Sequence, residues 1–364
     1  MLKKIFLPLM LIVLMMSRAE AGTWSPELRV GILVNVKQVS LKVSAPCVMI
    51  NAAKGNVLKK IPAGGSFVVD FEHLKINAVE VRPEKIPIQE LTIEVDGKKY
   101  YGGVSVNKGK DSLTVINLVP LEEYLHGVLA KEMSPSYPLE ALKAQAVAAR
   151  AFALKNRGRH VKEGFDLCSG THCQVYVGVT DYDSINRAID ETRGAVLVYK
   201  EKLIDTNFHA DSGGMTEDVA DVWGRATPYL VAVREIVQLA KPWTVKVPAK
   251  DFSKQLDLDD VKTVKLSKLT VGQGASDRTS SGRVQSAQIN GKKFTGTELR
   301  QKFSLPSTLF DIKLDAGEVI FTGYGSGHGV GMSQVGARDY AKEGWSYEKI
   351  LKHYYKDTKL KKLY

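Results

Sequence analysis

The sequence predicts an α+β protein with a β-rich N-terminal region, a mixed core that contains a packed helix pair, and a smaller inserted domain. Three observations lead to this prediction: β-branched runs separated by turn residues fill the first third of the chain, two amphipathic segments that begin at prolines follow, and strand-like runs then return. With 44% hydrophobic and 25% charged residues among 364, the composition excludes disordered, collagen-like and coiled-coil chains.

Residues 1–21 have the three parts of a secretory signal peptide. Two lysines supply the positive charge, residues 5–16 form an apolar run, and residues 19–21 (Ala-Glu-Ala) provide the small-x-small cleavage pattern. An apolar run of this length is short for a bilayer span, so an uncleaved anchor is the weaker interpretation. We therefore expect a secreted or cell-envelope protein with no transmembrane span after signal cleavage.

The chain is basic, with a formal net charge of +11. Loss of residues 1–21 would lower this charge by two. A positive surplus favours an anionic partner or is a generic property of the surface. Because the sequence has no zinc finger, RNA-binding motif or basic–aromatic alternation, we expect the anionic cell envelope and no nucleic acid as partner.

Residues 22–113 are predicted to form the β-rich region. Their runs are β-branched or alternating, and Gly, Asn, Asp and Lys separate them. The sequence Val-Asp-Gly-Lys at 95–98 indicates a hairpin. No catalytic constellation occurs in residues 27–110, so this region is interpreted as a scaffold or a recognition module.

The pattern becomes helical at Pro120. One helix is predicted from Pro120 to about Met133, residues 134–137 interrupt it, and an alanine-rich second helix is predicted from Pro138 to about Lys155. A short loop between two helices favours an antiparallel helix pair.

Residues 114–364 are predicted to form the catalytic region, with an insert at about 240–310. Strand-like runs return at 195–208. The insert combines a Gly/Ser-rich turn, a strand-like run and a short helix near 297–303, and a last helix is predicted near 346–355.

The first predicted helix carries an acid on its apolar face. At 100° per residue, Glu132 falls in the stripe that Leu125 and Val128 define, whereas Glu122 and His126 fall opposite, where solvated groups belong. Burial would raise the pKa of the Glu132 carboxyl, which is the property a general acid needs.

The second predicted helix carries two cations on its own apolar face, Lys143 and Arg150. If the helices pack as a pair, these cations approach Glu132. An ion pair of Glu132 with either of them is the structural alternative, and it would lower the pKa of Glu132 instead. The spacing leaves both interpretations open.

Four segments of the chain resemble the SpoIID/LytB family, in order, between about residue 114 and residue 364. They read VPLEEYLHGVLAKEMSPSYPLEALKAQAVAARAFAL, CQVYVG, FHADSGGMTEDVADVWG and GHGVGMSQVGARDYAKEGWSYEKILKHYY. Several long motifs in order are more specific than one short pattern. Two positions depart from the family pattern: Ser134 precedes Pro135, and Val335 replaces an aromatic residue.

The resemblance implies a lytic transglycosylase of peptidoglycan in which Glu132 is the catalytic acid/base and no cofactor is required. Such an enzyme cleaves the MurNAc–GlcNAc β-1,4 bond without water and leaves a 1,6-anhydro-MurNAc end. Lys143 and Arg150 would belong to the active-site environment and bind the lactyl carboxylate of peptide-free strands. The alternative that the family also implies is a non-catalytic, glycan-binding enhancer of an N-acetylmuramoyl-L-alanine amidase, with the amidase as partner.

A compact group of thiols and imidazoles follows the helix pair. His160, Cys168, His172 and Cys173 offer the ligands that Zn²⁺ prefers. In an oxidising compartment, Cys168 and Cys173 could form a disulfide instead, or they could stay as free thiols. The spacing leaves zinc, disulfide and free thiols open.

The remaining candidate substrate-binding residues lie in the other family segments and are Tyr176, His209, Ser212, Gly213, His328 and Gln334. The glycine-rich loops around them lack the G-x-G-x-x-G and P-loop patterns and the Gly-x-Ser-x-Gly of a serine hydrolase. We expect them to bring backbone and polar groups close to a sugar. Tight structural turns are the alternative interpretation.

Overall fold

The computed structural model describes residues 25–236 and 241–364. The predicted signal peptide, residues 1–21, lies outside these ranges and stays a prediction. None of the helices in the described ranges has the length and apolar character needed to cross a membrane.

The α+β class is confirmed. Across the described ranges the structure contains eight α-helices and 22 β-strands. The helices are α1 (Leu121–Glu132), α2 (Leu139–Lys155), α3 (Asp183–Glu191), α4 (Val219–Trp223), α5 (Ala249–Gln255), α6 (Gly296–Lys302), α7 (Gln334–Lys342) and α8 (Tyr347–Tyr354). The strands are β1 (Glu27–Val36), β2 (Gln38–Val43), β3 (Cys47–Asn51), β4 (Val57–Ile61), β5 (Ser66–Asp70), β6 (Ala78–Pro83), β7 (Thr92–Val95), β8 (Lys98–Tyr101), β9 (Gly103–Lys108), β10 (Leu113–Pro120), β11 (Leu167–Cys168), β12 (Ala195–Tyr199), β13 (Lys202–Leu203), β14 (Phe208–His209), β15 (Trp243–Pro248), β16 (Val264–Lys265), β17 (Ser286–Ile289), β18 (Lys292–Thr295), β19 (Phe310–Asp315), β20 (Glu318–Gly323), β21 (Met332–Ser333) and β22 (Lys359–Lys362).

Two sheets build the N-terminal region. The larger has the strand order β11-β1-β10-β9-β6-β3-β4, and the smaller has the order β5-β2-β7-β8. Alternation explains how they pack, since Val39, Leu41 and Val43 of β2 point inward and their neighbours are exposed. The predicted hairpin is confirmed: Val95 pairs with Lys98, and both turn residues between them have positive φ.

The two predicted helices are confirmed as α1 and α2, and prolines cap both. Pro120 and Pro138 are the N-cap residues, with extended ψ angles of 145° and 141°. Met133 has extended backbone and is followed by Ser134 and Pro135, so the helix ends at Glu132. α2 is central in the core and packs against α1, α3, α7 and α8.

The ion pair that joins α1 to α2 differs from the expected one. Arg150 has no exposed surface and donates Nε and Nη2 to the two carboxylate oxygens of Glu122, at 2.8 and 2.7 Å. The hydroxyl of Tyr364 also donates to Glu122. The expectation of a solvated Glu122 and the expectation of Arg150 in a ligand-binding cleft are therefore both wrong.

A second hydrophobic core lies in the region where the insert is predicted. It is built from residues 252–321, with Phe252, Phe310 and Phe321 at its centre. β15, β20 and β19 form one sheet of this region, and β16, β17 and β18 form another. Helix α6 matches the predicted short helix and begins with a capping box of Thr295 and Glu298. Helix α7, which interrupts the glycine-rich segment, was not predicted.

Removal of the buried guanidinium should destabilise the fold strongly. We expect Arg150→Met to lower the free energy of unfolding by about 3–5 kcal/mol, because the buried Glu122 loses the cation that donates to both of its carboxylate oxygens. The double variant Glu122→Gln/Arg150→Met should be more stable than this single variant, since it leaves no buried charge. Urea unfolding at pH 7 measures both values, and a single variant as stable as the wild type would contradict the pair.

The same pair predicts a pH dependence. Burial raises the pKa of Glu122, but the hydrogen bonds and charge of Arg150 outweigh burial, so the net shift is downward from 4.5. A depressed pKa in the folded state stabilises the protein above the unfolded pKa, and this stabilisation is lost as the pH falls through the folded value. Below pH 4.5 the wild type should therefore lose stability faster than the double variant does.

Candidate functional site

A cavity of about 460 Å³ lies where α1 ends. Its walls come from α1, from the end of α2 and the loop after it, and from strand β14 with its neighbours. The residues that line it are Glu132, Phe152, Arg159, Thr171, His172, Cys173, Gln174, Val175, Asn207, Phe208, His209, Trp223, Gly327 and His328. This volume is typical of small-molecule sites.

Glu132 is the last helical residue of α1 and faces this cavity. Its Oε2 accepts a hydrogen bond from Nε2 of Gln334 at 3.2 Å. Burial raises the pKa of the Glu132 carboxyl, while the Gln334 bond and a backbone hydrogen bond from Val175 act in the opposite direction without cancelling the shift. Lys143 and Arg150 pair with other carboxylates and form no ion pair with Glu132. Of the two alternatives that the sequence left open, a pKa raised by burial and a pKa lowered by an ion pair, the structure has the first.

Two short parallel strands bring Gln334 to Glu132. β14 pairs with β21, with Phe208 opposite Met332 and His209 opposite Ser333. The hydroxyl of Ser333 then caps α7 by accepting the amide hydrogen of Gly336. Gly331, just before β21, has a φ of 73°, and a Cβ there would lie 2.0 Å from a backbone oxygen. The glycine is thus required for the approach of the two strands.

Two histidines line the same cavity as Glu132. Nδ1 of His209 donates to the backbone oxygen of Val330 at 3.1 Å, so Nδ1 carries the proton. The buried Nε2 has no hydrogen-bond partner and is an acceptor. Nδ1 of His328 accepts from the amide of Val330 at 3.0 Å. Burial lowers the pKa of both rings, that of His328 to about 4, so both are neutral at pH 7.

The predicted cysteine–histidine group is brought together beside this cavity. The ligand atoms of His160, Cys168, His172 and Cys173 all lie within 4.8 Å of one another. Nε2 of His160 and Nδ1 of His172 are 3.2 Å apart. Sγ of Cys173 is 3.5 Å from the first nitrogen and 3.8 Å from the second. Tetrahedral zinc with bonds of about 2.0–2.3 Å requires ligand atoms about 3.3–3.8 Å apart. The separations among His160, His172 and Cys173 lie in or close to this range, and Sγ of Cys168 is 3.9 Å from Nδ1 of His172, so the donor set fits Zn²⁺.

Neighbouring groups orient this cluster. Nδ1 of His160 contacts Oε2 of Glu163 at 2.6 Å, which leaves Nε2 for a metal, as in carboxylate–histidine–metal arrangements. Cys168 lies on β11, at the edge of the large sheet. Neither Cys168 nor Cys173 forms a disulfide.

Several predicted substrate-binding residues are not part of the cavity. Tyr176 is buried beneath α1 and donates its hydroxyl to Asn117 at 2.9 Å. Ser212 has no exposed surface, and its hydroxyl donates to Glu235. Their predicted contact with substrate is therefore wrong, because both side chains are enclosed by protein.

Gly213 and Lys143 also lie elsewhere. Gly213 packs against Leu309 of the insert region. Lys143 forms ion pairs with Glu140 and Glu191, at 2.8 and 2.6 Å. Of the predicted set, Glu132, His209 and His328 line the cavity, and Gln334 reaches it through its hydrogen bond to Glu132.

Several residues of the cavity were not predicted, and three of them have side chains suited to a ligand. Phe152 of α2 packs edge-on to Phe208, with 6.4 Å between ring centres. Arg159 lies exposed at the cavity wall. Trp223 is 52% exposed at the end of α4. Trp223 lies inside one of the family-like segments, which was the one signal that could have identified it.

Comparison with known proteins identifies a family model and several relatives that are similar to this chain. The sequence model described as stage II sporulation protein (SpoIID) matches residues 109–199. An uncharacterised protein of Brachyspira hyodysenteriae is 38% identical over 293 residues, which cover 78% of each chain. Stage II sporulation protein D of Bacillus amyloliquefaciens is 36% identical over 69% of this chain and 77% of its own. The amidase enhancer of Bacillus subtilis is 30% identical over 80% of this chain and 48% of its own.

The hydrogen bond from Gln334 should tune the acidity of Glu132. We expect Gln334→Leu to raise the pKa of Glu132 further, because a donor that favours the carboxylate is lost. Carbon-13 NMR titration of labelled glutamate carboxyls measures the shift, and the signal missing from a Glu132→Gln spectrum identifies the residue. Gln273→Leu, at an exposed position, is the control. If Glu132 titrates equally in the wild type, in Gln334→Leu and in Gln273→Leu, the hydrogen bond between Gln334 and Glu132 is contradicted.

Proposed function

Because the chain belongs to the SpoIID family, we propose that it is a lytic transglycosylase that cleaves the MurNAc–GlcNAc β-1,4 bond of peptidoglycan strands. Relatives named for sporulation and for enhancing an amidase support a cell-wall-related function. One observation carries the finer proposal: among the described residues that line the cavity, Glu132 is the one carboxylate.

A single carboxylate suits a reaction in which the substrate supplies the nucleophile. Glycosidases that use water or an enzyme nucleophile place two carboxylates on either side of the bond. Here Glu132 donates its proton to the glycosidic oxygen as the C1–O bond breaks. The C6 hydroxyl of MurNAc then bonds to C1, and its proton returns to Glu132. The products are a 1,6-anhydro-MurNAc end and a free GlcNAc hydroxyl, so protons balance without water.

The surroundings of Glu132 support this cycle. Burial favours the protonated carboxyl that the first step needs, and Gln334 and Val175 stabilise the carboxylate that the second step needs. The two neutral histidines add no charge that would remove the proton from Glu132. One residue can thus serve as acid and then as base.

The cavity also offers contacts for a sugar. The rings of Phe152, Phe208 and Trp223 provide faces on which pyranose carbons can pack, and Nε2 of His209 accepts a hydroxyl hydrogen. Arg159 is the cation of this cavity and takes the place that Lys143 and Arg150 were expected to fill. It is suited to the lactyl carboxylate of MurNAc.

We further propose that His160, Cys168, His172 and Cys173 hold one Zn²⁺. Four protein ligands make a closed, structural site with no position for a substrate. The metal would supply no step of the reaction and would fix the wall of the cavity that residues 171–175 form.

The assignment of Glu132 predicts that Glu132→Gln keeps the fold and abolishes release of anhydro-muropeptides from purified strands. The amide cannot donate or accept the required proton, so we expect a loss of at least about 100-fold, the lower end of general acid–base contributions. Mass spectrometry of the digest measures the product, and circular dichroism checks the fold.

Glu123→Gln is the matched control for this experiment. Glu123 lies on the same helix, and burial raises its pKa to about 7, but it does not line the cavity. This variant should keep the activity of the wild type. Full activity of Glu132→Gln would refute the proposed role of Glu132.

An amidase enhancer is the second candidate, because one relative carries that name. It predicts that the wild type binds strands, releases no anhydro ends and accelerates an amidase. Glu132→Gln would then stimulate the amidase as well as the wild type does. Assays with and without a purified cell-wall amidase therefore separate the two functions.

The zinc proposal predicts about one zinc per chain in protein purified without chelator, measured by elemental analysis. Cys173→Ser should reduce this content and lower the melting temperature, because metal binding contributes to folding free energy. Thiol counting under denaturing, non-reducing conditions is the control. A mass two units lower together with absent metal would establish a disulfide and exclude the zinc site.

A further inference from the structure

A second cavity, of about 700 Å³, adjoins the cavity of Glu132 on the side of the insert. Trp223 and His328 line both cavities and form the ridge between them. On the far side the wall is formed by helix α6, with Arg300 and Gln301, and by the threonines that precede and begin it. A ligand that extends past Trp223 from Glu132 would therefore enter this insert-side cavity.

Arg300 is a cation of the insert-side cavity that forms no ion pair with any described residue, and the carboxylates of Glu217 and Asp221 line the same cavity. It is half-buried, and its Nε donates to the backbone oxygen of Leu305 at 3.3 Å. Within the described residues, no carboxylate lies within ion-pair distance of its guanidinium, and burial lowers its pKa. Its remaining nitrogens are suited to a planar anion such as a carboxylate.

Arg283 adds charge beneath the same cavity. It is 2% exposed, and Nη2 donates to the oxygen of Ser212 at 2.7 Å, while Nε and Nη1 have no hydrogen-bond partner. Glu217 lies 3.8 Å from Nε but already accepts two hydroxyl donors. Gly329 packs on this guanidinium, where a Cβ would lie 2.6 Å from Cζ. The charge of Arg283 is thus only partly compensated.

Trp223 is an exposed aromatic surface that lines both cavities. Its indole lies 5.2 Å from the ring of His328, which packs in turn on His209. Helix α4 holds it, capped by the side chain of Asp218. An exposed indole between two cavities is suited to pack on the apolar face of a pyranose.

We propose that the insert-side cavity is a second saccharide subsite that takes an acidic sugar of the same strand. Trp223 stacks on the sugar ring, Arg300 binds its carboxylate, and Arg283 is a positioning residue whose charge lies beneath it. The proposal rests on the proposed function for the identity of the strand. In a peptide-free strand this carboxylate is the lactyl group of MurNAc, and the alternative source is a stem peptide.

The test measures binding by calorimetry in a Glu132→Gln background, so that strands stay intact. Three ligands are compared: peptide-free strands, the same strands with lactyl carboxylates reduced to alcohols, and peptide-bearing strands. We expect Arg300→Gln to weaken binding of peptide-free strands about 10-fold and to leave reduced strands unchanged, since one charge-assisted contact is lost. Lys302→Gln is the control, because Lys302 lies on α6 outside the cavity.

Trp223→Ala supplies a second, charge-independent readout. It should weaken binding of both peptide-free and reduced strands about three- to ten-fold, because stacking does not need the carboxylate. Melting curves confirm that each variant is folded. If Arg300→Gln binds all three ligands as the background protein does, or if Trp223→Ala has no effect, the subsite is refuted.

The remaining outcomes locate the carboxylate and separate the two proposals. In peptide-bearing strands the lactyl group is an amide, so a loss in Arg300→Gln that is confined to these strands would support the subsite and assign the carboxylate to the stem peptide. If wild-type protein releases no anhydro ends but Arg300 still discriminates charged from reduced strands, the transglycosylase fails and the subsite stands. If the wild type releases anhydro ends but Arg300 does not discriminate charged from reduced strands, the transglycosylase stands and the subsite fails.

Discussion

The buried ion pair between Glu122 and Arg150 determines the electrostatics of the helix pair. The guanidinium donates to both oxygens of Glu122, so it is fully used at the start of α1. Glu132, at the other end of the helix, is left with amide donors only. Glu122 is therefore held ionised by an arginine, whereas burial raises the pKa of Glu132. The rest of the site is arranged around Glu132.

The helix pair could be predicted from the sequence because its signals are local. Prolines mark both N-caps, and α1 ends near the acid at the extended Met133, two residues before Pro135. The helical wheel predicted the burial of Glu132 but not that of Glu122. A helical wheel assumes one buried face, whereas α1 packs against α2, α3 and the large sheet. Glu122 is consequently buried on the face that the wheel assigned to solvent.

The cavity is lined by segments that are far apart in the sequence, so its lining residues could be predicted only in part. The four cysteine and histidine residues lie within residues 160–173, so spacing alone was enough to group them. Gln334 is 202 positions from Glu132 and reaches it only because β14 and β21 pair. Arg159 and Trp223 belong to no pattern with a known chemistry. The cation expected near Glu132 was therefore predicted on α2, where Arg150 pairs with the buried Glu122 and Lys143 pairs with Glu191 of α3.

The cysteine–histidine cluster and Glu132 share one wall, and this constrains what a metal could do there. Residues 171–175 line the cavity, and Val175 hydrogen-bonds Glu132 two residues after Cys173. Zn²⁺ held by two thiolates and two neutral imidazoles is formally uncharged, so it would exert little pull on the Glu132 proton. Burial would then still set the acidity of Glu132. The metal would act through geometry, by joining the cavity wall to β11 at the edge of the large sheet.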